Sequence, residues 1–152
     1  MEQVYDVFIN HRGPDVKRTL ASLIYHRLES HGLRVFLDKH ELQGGDSLIP
    51  AIKSAISSAS VQIAIFSKTY AQSAWCLNEL LWMLDSHPSK MIPIFYDIQP
   101  SDLRYVDKGA YAEAFQEHRD KGRVSTQQID SWISALVKIS GVSGPVISTD
   151  KE

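Results

Sequence analysis

Runs rich in Val, Ile and Phe alternate along this chain with segments whose apolar residues recur every third or fourth position. The first run, Val4-Tyr5-Asp6-Val7-Phe8-Ile9, is followed by Arg12-Gly13-Pro14-Asp15. Proline suits the first helical position and a carboxylate suits the positive end of the helix dipole, so a helix is predicted to start there. Val16, Leu20, Leu23, Ile24 and Leu28 carry it on, and Gly32 is placed to stop it. A second run, Arg34 to Asp38, leads into a polar loop through Gly44-Gly45-Asp46-Ser47. Ile49, Ile52 and Ile56 then mark a short helix with Pro50 in its first turn. The third run, Val61 to Phe66, is apolar on both faces apart from Gln62. Leu77, Leu80, Leu81 and Leu84 form the stripe of the next helix. In the fourth run, Met91 to Tyr96, Pro93 removes one ladder donor and predicts a bulge or a partial edge. A loop from Asp97 to Gly109 precedes a helix with Tyr111, Ala114, Phe115 and His118 on one face. The last helix carries Ile129, Trp132, Ile133 and Leu136, and Pro145-Val146-Ile147 reads as a short fifth strand.

Strands that are apolar on both faces, each followed by a helix, indicate a parallel sheet covered on both sides. With four or five strands the expected fold is a flavodoxin-like three-layer α/β arrangement of order 2-1-3-4-5. One domain over residues 1–152 is expected, with its core at about 4–141 and a tail, 142–152, forming a short strand or disordered chain. In such sheets ligands bind beyond the carboxyl ends of the strands where the winding reverses, here between strands 1 and 3. The loops meeting there are Asn10 to Pro14 and Ser67 to Trp75, with the Gly44-Gly45 loop alongside.

Composition narrows the candidates further. Sixteen basic and eighteen acidic residues give a formal charge of −2, which lacks the electrostatic footprint of non-specific nucleic-acid binding. The single cysteine, Cys76, excludes an intrachain disulfide framework and an all-thiolate zinc site, and suits a reducing compartment. No apolar run approaches the roughly 18 residues of a membrane span, and Met1-Glu2-Gln3 does not open a signal peptide.

On a helical wheel that takes the leucine stripe as the core direction, Glu79 lies about 150° away. Trp75 and Trp82 share that side with it. Either the tryptophans pack under loops with Glu79 solvated, or Trp75 stacks on a base or nicotinamide ring and Glu79 touches a sugar. Arg12 is either an exposed residue at a helix start or an anion contact, with Gly13 allowing close backbone approach. Gly44-Gly45-Asp46-Ser47 lacks phosphate-loop spacing and reads as a flexible turn. Cys76, opening the same helix as Glu79, is either a thiol of lowered pKa or a buried structural one. No G-x-G-x-x-G follows a strand, no G-x-S-x-G elbow exists, and strand 3 ends Phe66-Ser67-Lys68 without an acceptor aspartate. The six histidines show no metal-ligand spacing on one helix face.

Four blocks resemble one family, the plant-type Toll/interleukin-1 receptor (TIR) domain. They are Tyr5-Asp6-Val7-Phe8-Ile9-Asn10-His11-Arg12-Gly13, the stretch from Asp38 through Gly44 to Ala55-Ile56, Tyr70 to Leu80, and Pro93 to Arg104 with Gly109 and Ala114-Phe115 after it. The resemblance implies a role in innate-immune signalling, in the cytoplasm or also the nucleus, and cleavage of NAD⁺ at the nicotinamide–ribose bond. It requires no cofactor, since NAD⁺ or NADP⁺ is the substrate. It makes Glu79 catalytic and places Arg12, Gly13, His11, Trp75 and Cys76 around the substrate; His11 stands where the family has an aromatic residue. Self-association is implied through the loop of Lys39, Leu42, Gly44, Gly45 and Asp46, and through Ser22 and Gly109. At the first of those contacts Ser22-Leu23 replaces the family's Ser-His pair. Other TIR proteins are further implied partners and no membrane is; some members of the family act on nucleic acids to form cyclic nucleotides, a reading that the charge balance here does not support. A second reading is a non-catalytic adaptor that signals by assembly alone, but an adaptor has no need of Trp75 and Glu79 together.

Overall fold

A computed structural model of the chain describes residues 4–13, 20–37 and 49–149. Five parallel strands form one sheet: β1 (Val7–His11), β2 (Val35–Leu37), β3 (Val61–Phe66), β4 (Lys90–Tyr96) and β5 (Val146–Ile147). Their order is 2-1-3-4-5, as the alternation of strands and helices predicts. Six α-helices occur among the described residues: α1 (Ser22–Ser30), α2 (Ile49–Ser58), α3 (Ala74–Asp85), α4 (Pro100–Arg104), α5 (Ala112–Lys121) and α6 (Thr126–Ser140). None of the described helices is long and apolar enough to cross a membrane.

The two-residue period of a strand sorts its side chains into two layers. Val7, Ile9, Val35, Ile63, Ile65 and Ile94 pack on one face with Leu20, Ile24 and Leu28 of the α1 region. Phe8, Ala64, Phe66 and Phe95 face the other way, where α2, α3, α5 and α6 supply Ile52, Leu77, Leu80, Phe115 and Trp132. Asn10, two positions after Phe8, is therefore directed at the α3 layer. The Ser73 hydroxyl caps α3 by accepting from the Cys76 N–H at 3.0 Å. Leu77, Leu80 and Met83 fix that helix to the sheet by full burial, each contributing about 1.5–3 kcal/mol.

Four details differ from the sequence reading. Leu23 is 67% exposed, because the line through Leu20, Ile24 and Leu28 faces the sheet and Leu23 lies about 100° from it. The predicted helix start at Pro14-Asp15, Val16 and the loop over 38–48 fall outside the described residues. Gly32 does end α1: it adopts φ 86°, and Leu33 N–H donates to Leu28 O at 3.2 Å. The second difference is α4, which stands where a plain loop was expected. Pro100 opens it and the Asp102 carboxylate accepts from Gln99 N–H at 2.9 Å, a capping signal already present in Gln99-Pro100-Ser101-Asp102.

The third concerns Pro93, which holds its register opposite Ala64 without a bulge. Phe95 N–H donates to Pro145 O at 2.9 Å, so by alternation the donor that Pro93 lacks faces the same side, just before β5 begins. The partial edge is real and the bulge is not. Gly144 crosses there so closely that an added Cβ would sit 2.9 Å from the Pro93 carbonyl carbon. Only a residue without a side chain passes. The fourth is the orientation of α3. Its buried residues are Cys76, Leu77, Glu79, Leu80 and Met83, while Leu81 and Leu84 are half-buried. The core direction is rotated about 80° from the leucine stripe, which brings Glu79 to the buried side.

Candidate active site

β1 and β3 are adjacent, and their carboxyl ends deliver the two segments predicted to meet. Asn10 and His11 end β1, with Arg12 and Gly13 following. After β3 the chain makes a 3₁₀ turn, Tyr70–Gln72, before entering α3. Three carbonyls of this segment are held by side chains from three different places. Ser67 O accepts from the Tyr111 hydroxyl at 2.6 Å, Thr69 O from Arg12 Nε at 3.0 Å, and Ala71 O from His118 Nε2 at 2.8 Å. The carbonyl at Ala71 can only accept, so Nε2 of His118 carries the proton.

Glu79 is 1% exposed. Its Oε1 accepts from Asn10 Nδ2 at 2.9 Å and its Oε2 from Trp75 Nε1 at 2.8 Å. A spacing of four residues puts Trp75 one helical turn before Glu79, within reach of that bond. The solvated-glutamate reading is thereby overturned: the carboxylate is buried and bound by two uncharged donors. Trp75 is half-buried and meets Trp82 edge to face, with ring centroids 6.2 Å apart. Lys53 Nζ lies 4.9 Å from the Trp82 ring centroid.

Arg12 and Gly13 are half-buried and His11 is buried, all at the end of β1. The Arg12 guanidinium braces the opposite segment through Nε, so it is not simply an exposed arginine at a helix start. Cys76 is buried, and its Sγ–H donates to His11 O at 3.3 Å. The thiol thus joins α3 to β1 as a structural group. Two further residues, Asn10 and Tyr70, belong to the site and are absent from the set assigned on sequence. The Tyr70 hydroxyl donates to Asn10 Oδ1 and lies 3.2 Å from Cys76 O. Burial, with Cys76 and Glu79 close by, pushes the Tyr70 phenol well above its ordinary range, so it stays protonated. A polar residue closing an otherwise apolar strand was the available signal for Asn10; Tyr70 offered none. Among the described residues no three His, Cys, Asp or Glu side chains are grouped to hold a metal ion.

The family model described as "TIR domain" matches residues 4–151. The chain belongs to the TIR family. This TIR domain is 49% identical over 114 residues to the probable 2′ cyclic ADP-D-ribose synthase BdTIR of Brachypodium distachyon, a match covering 75% of the chain and 50% of that protein. It is 35% identical over 150 residues to TMV resistance protein N of Nicotiana glutinosa, covering 97% of the chain and 13% of that protein. Its fold superposes with TM-score 0.81 and 33% identity on the TIR domains of the activated Roq1 resistosome directly recognizing the pathogen effector XopQ, covering 94% of this chain and 87% of that one. The chain spans about half the length of BdTIR and a small part of protein N.

Of the residues assigned to TIR self-association, two lie within the described set. Lys39, Leu42, Gly44, Gly45 and Asp46 are outside the described residues. Ser22 opens α1 and is half-buried, next to the exposed Leu23. Gly109 precedes α5 and packs against α4: a Cβ there would meet Asp102 Oδ1 at 2.5 Å. Asp102 Oδ1 also accepts from Ala110 N–H at 3.2 Å. Gly109 is therefore part of the turn's internal packing, whatever else it touches.

Proposed function

We propose that this TIR domain cleaves NAD⁺ at the bond between nicotinamide and ribose, with Glu79 as the catalytic residue. The observation that carries the reading is the Glu79 carboxylate, buried at the switch point of the sheet and fixed by two uncharged donors. Asn10 and Trp75 orient it through neutral donors, one to each oxygen. The name of BdTIR, a probable 2′ cyclic ADP-D-ribose synthase, points to the same chemistry.

A single carboxylate is enough for this reaction. Glycosidases pair an acid with a base or nucleophile because an alkoxide leaves poorly. In NAD⁺ the C1′–N1 bond breaks with its electron pair passing to the pyridinium nitrogen, so nicotinamide departs neutral and needs no proton. Positive charge develops on the ribose, and Glu79 stabilises it while hydrogen-bonding the ribose hydroxyls. Water then adds at C1′ and loses a proton, giving ADP-ribose. Attack by the adenine or by a ribose hydroxyl, again with loss of a proton, closes a cyclic product instead. Arg12 and Gly13, at the crevice end of β1, are suited to the pyrophosphate, and Trp75 to an aromatic ring.

We place a second wall for the site on another copy of the domain, through the segment containing Lys39, Leu42, Gly44, Gly45 and Asp46. Incubation with NAD⁺ at several protein concentrations, followed by mass spectrometry, tests both statements. Nicotinamide should appear with an ADP-ribose species, and turnover per chain should rise with protein concentration. If no nicotinamide forms even where light scattering shows assembly, catalysis is wrong and a purely assembling adaptor takes its place.

A further inference from the structure

Asn10 is fully buried at the end of β1, and its amide can be read in only one orientation. Its Nδ2 lies 2.9 Å from Glu79 Oε1 and 3.4 Å from Cys76 O. Turning the amide over would set its oxygen against a carboxylate and a carbonyl, both of which only accept. With Nδ2 so committed, Oδ1 faces the Tyr70 hydroxyl and requires a donor there. The buried phenol, held protonated, is that donor. The three groups form a directed chain, Tyr70 to Asn10 to Glu79, with every proton assigned.

We infer that Asn10 is a positioning residue of the reaction: it fixes Oε1 of Glu79, so that the carboxylate meets the ribose in one rotamer. The inference rests on the assignment of Glu79 as catalytic. Its physical content is that the donor must be both short and neutral. A cation at this place would neutralise the carboxylate, and a missing donor would let it rotate. A small misplacement of a reacting group costs on the order of 10²-fold in rate.

Asn10→Asp is the informative variant because it keeps the shape of the side chain. Among the described residues, the groups that titrate or carry charge around position 10 are Glu79 and Cys76 on α3, Tyr70 on the 3₁₀ turn, and His11 and Arg12 next along the chain. Two carboxylates within hydrogen-bonding distance cannot both ionise easily, so the introduced carboxyl group and Glu79 would share one proton. While that proton sits on the introduced group, it donates to Glu79 as the amide does. When it leaves, the donor is lost and like charges face each other.

Nicotinamide release from NAD⁺ is measured across pH with the full chain, and folding is checked by circular dichroism. Asn10→Asp should gain an alkaline limb absent from the parent: activity is kept at lower pH and lost as pH rises. Asn10→Ala should show no such limb, and its kcat should fall by about 10- to 100-fold with KM changed by less than about threefold. Tyr70→Phe should fall in the same direction and by less, since Asn10 keeps its bond to Glu79. A folded Asn10→Asp chain with the parental pH profile, or a folded Asn10→Ala chain with parental kcat, overturns the inference. The Glu79→Gln chain is run beside them. Full activity there removes the catalytic assignment itself, whereas an inactive Glu79→Gln chain with a parental Asn10→Ala chain removes only the role of Asn10.

Discussion

Glu79→Gln separates chemistry from folding, and its energetic cost can be worked from the two bonds the carboxylate makes. Asn10 Nδ2 donates at 2.9 Å and Trp75 Nε1 at 2.8 Å, one to each oxygen. Glutamine keeps the shape but offers one acceptor oxygen and an NH₂ group. Whichever way it turns, one existing donor faces another donor, and an unsatisfied buried donor costs about 1–3 kcal/mol. Removing a buried charge offsets part of that. A net loss of about 1–2 kcal/mol lowers the thermal midpoint of a domain this long by about 2–8 °C, which leaves it folded at room temperature. Losing the charge that opposes the oxocarbenium-like ribose should cost at least about 10²-fold in turnover. Alanine is the poorer choice. It orphans both donors and opens a cavity, so a loss of activity there would mix misfolding with chemistry. Nicotinamide release at saturating NAD⁺, normalised to the folded fraction from a thermal melt, is the assay. A folded Glu79→Gln chain turning over within threefold of the parent would refute the assignment of Glu79.

Trp75→Phe keeps a ring in the crevice and removes the N–H that meets Oε2; release of nicotinamide should drop by about 10-fold, and unchanged kcat and KM would show that the indole N–H has no part in it. Gly109→Ala pushes a methyl group onto Asp102 Oδ1, and moving that carboxylate disturbs its bonds to Ala110 and Gln99. It should therefore lower stability by about 1–2 kcal/mol in dilute, unassembled protein, measured by urea unfolding; an unchanged midpoint would assign any effect on assembly to the interface alone. Asp97 is held below the ordinary carboxylate range by the Thr149 hydroxyl and then by the Thr149 N–H. A lowered folded-state value contributes stability that is present above the unfolded value of about 3.9 and lost as pH falls through the folded one. Melting temperature should thus decline on acidification below about pH 4, and less steeply in Asp97→Asn, where asparagine tolerates the φ of 59°. Parallel declines in the two chains would contradict this.

The sheet was legible because the polar boundaries were sharp. β3 matches its predicted limits residue for residue, being an apolar run between Ser60 and Ser67. A strand order inferred from both-faced hydrophobicity then brought the carboxyl ends of β1 and β3 side by side without any motif. The direction in which α3 faces was not legible. A wheel built on leucines gives no weight to Met83 and Cys76, which are as buried as Leu77, and the bond to Asn10 draws a carboxylate into the layer that hydropathy reserves for apolar groups. For the same reason the tryptophan–glutamate pair was placed on a common face correctly, and that face was given the wrong surroundings. Asn10 and Tyr70 matter through one another, across sixty positions of sequence, and no local period reports a bond of that kind.

The Ser67–Ser73 segment is tied at Ser67, Thr69 and Ala71 by Tyr111, Arg12 and His118. A wall fastened at three carbonyls is unsuited to act as a lid. An inhibitor shaped to that wall would meet the same surface on a lone chain as on an assembled one. If another copy supplies a second wall, any change of such an inhibitor's affinity with assembly would then come from that second wall and not from this one.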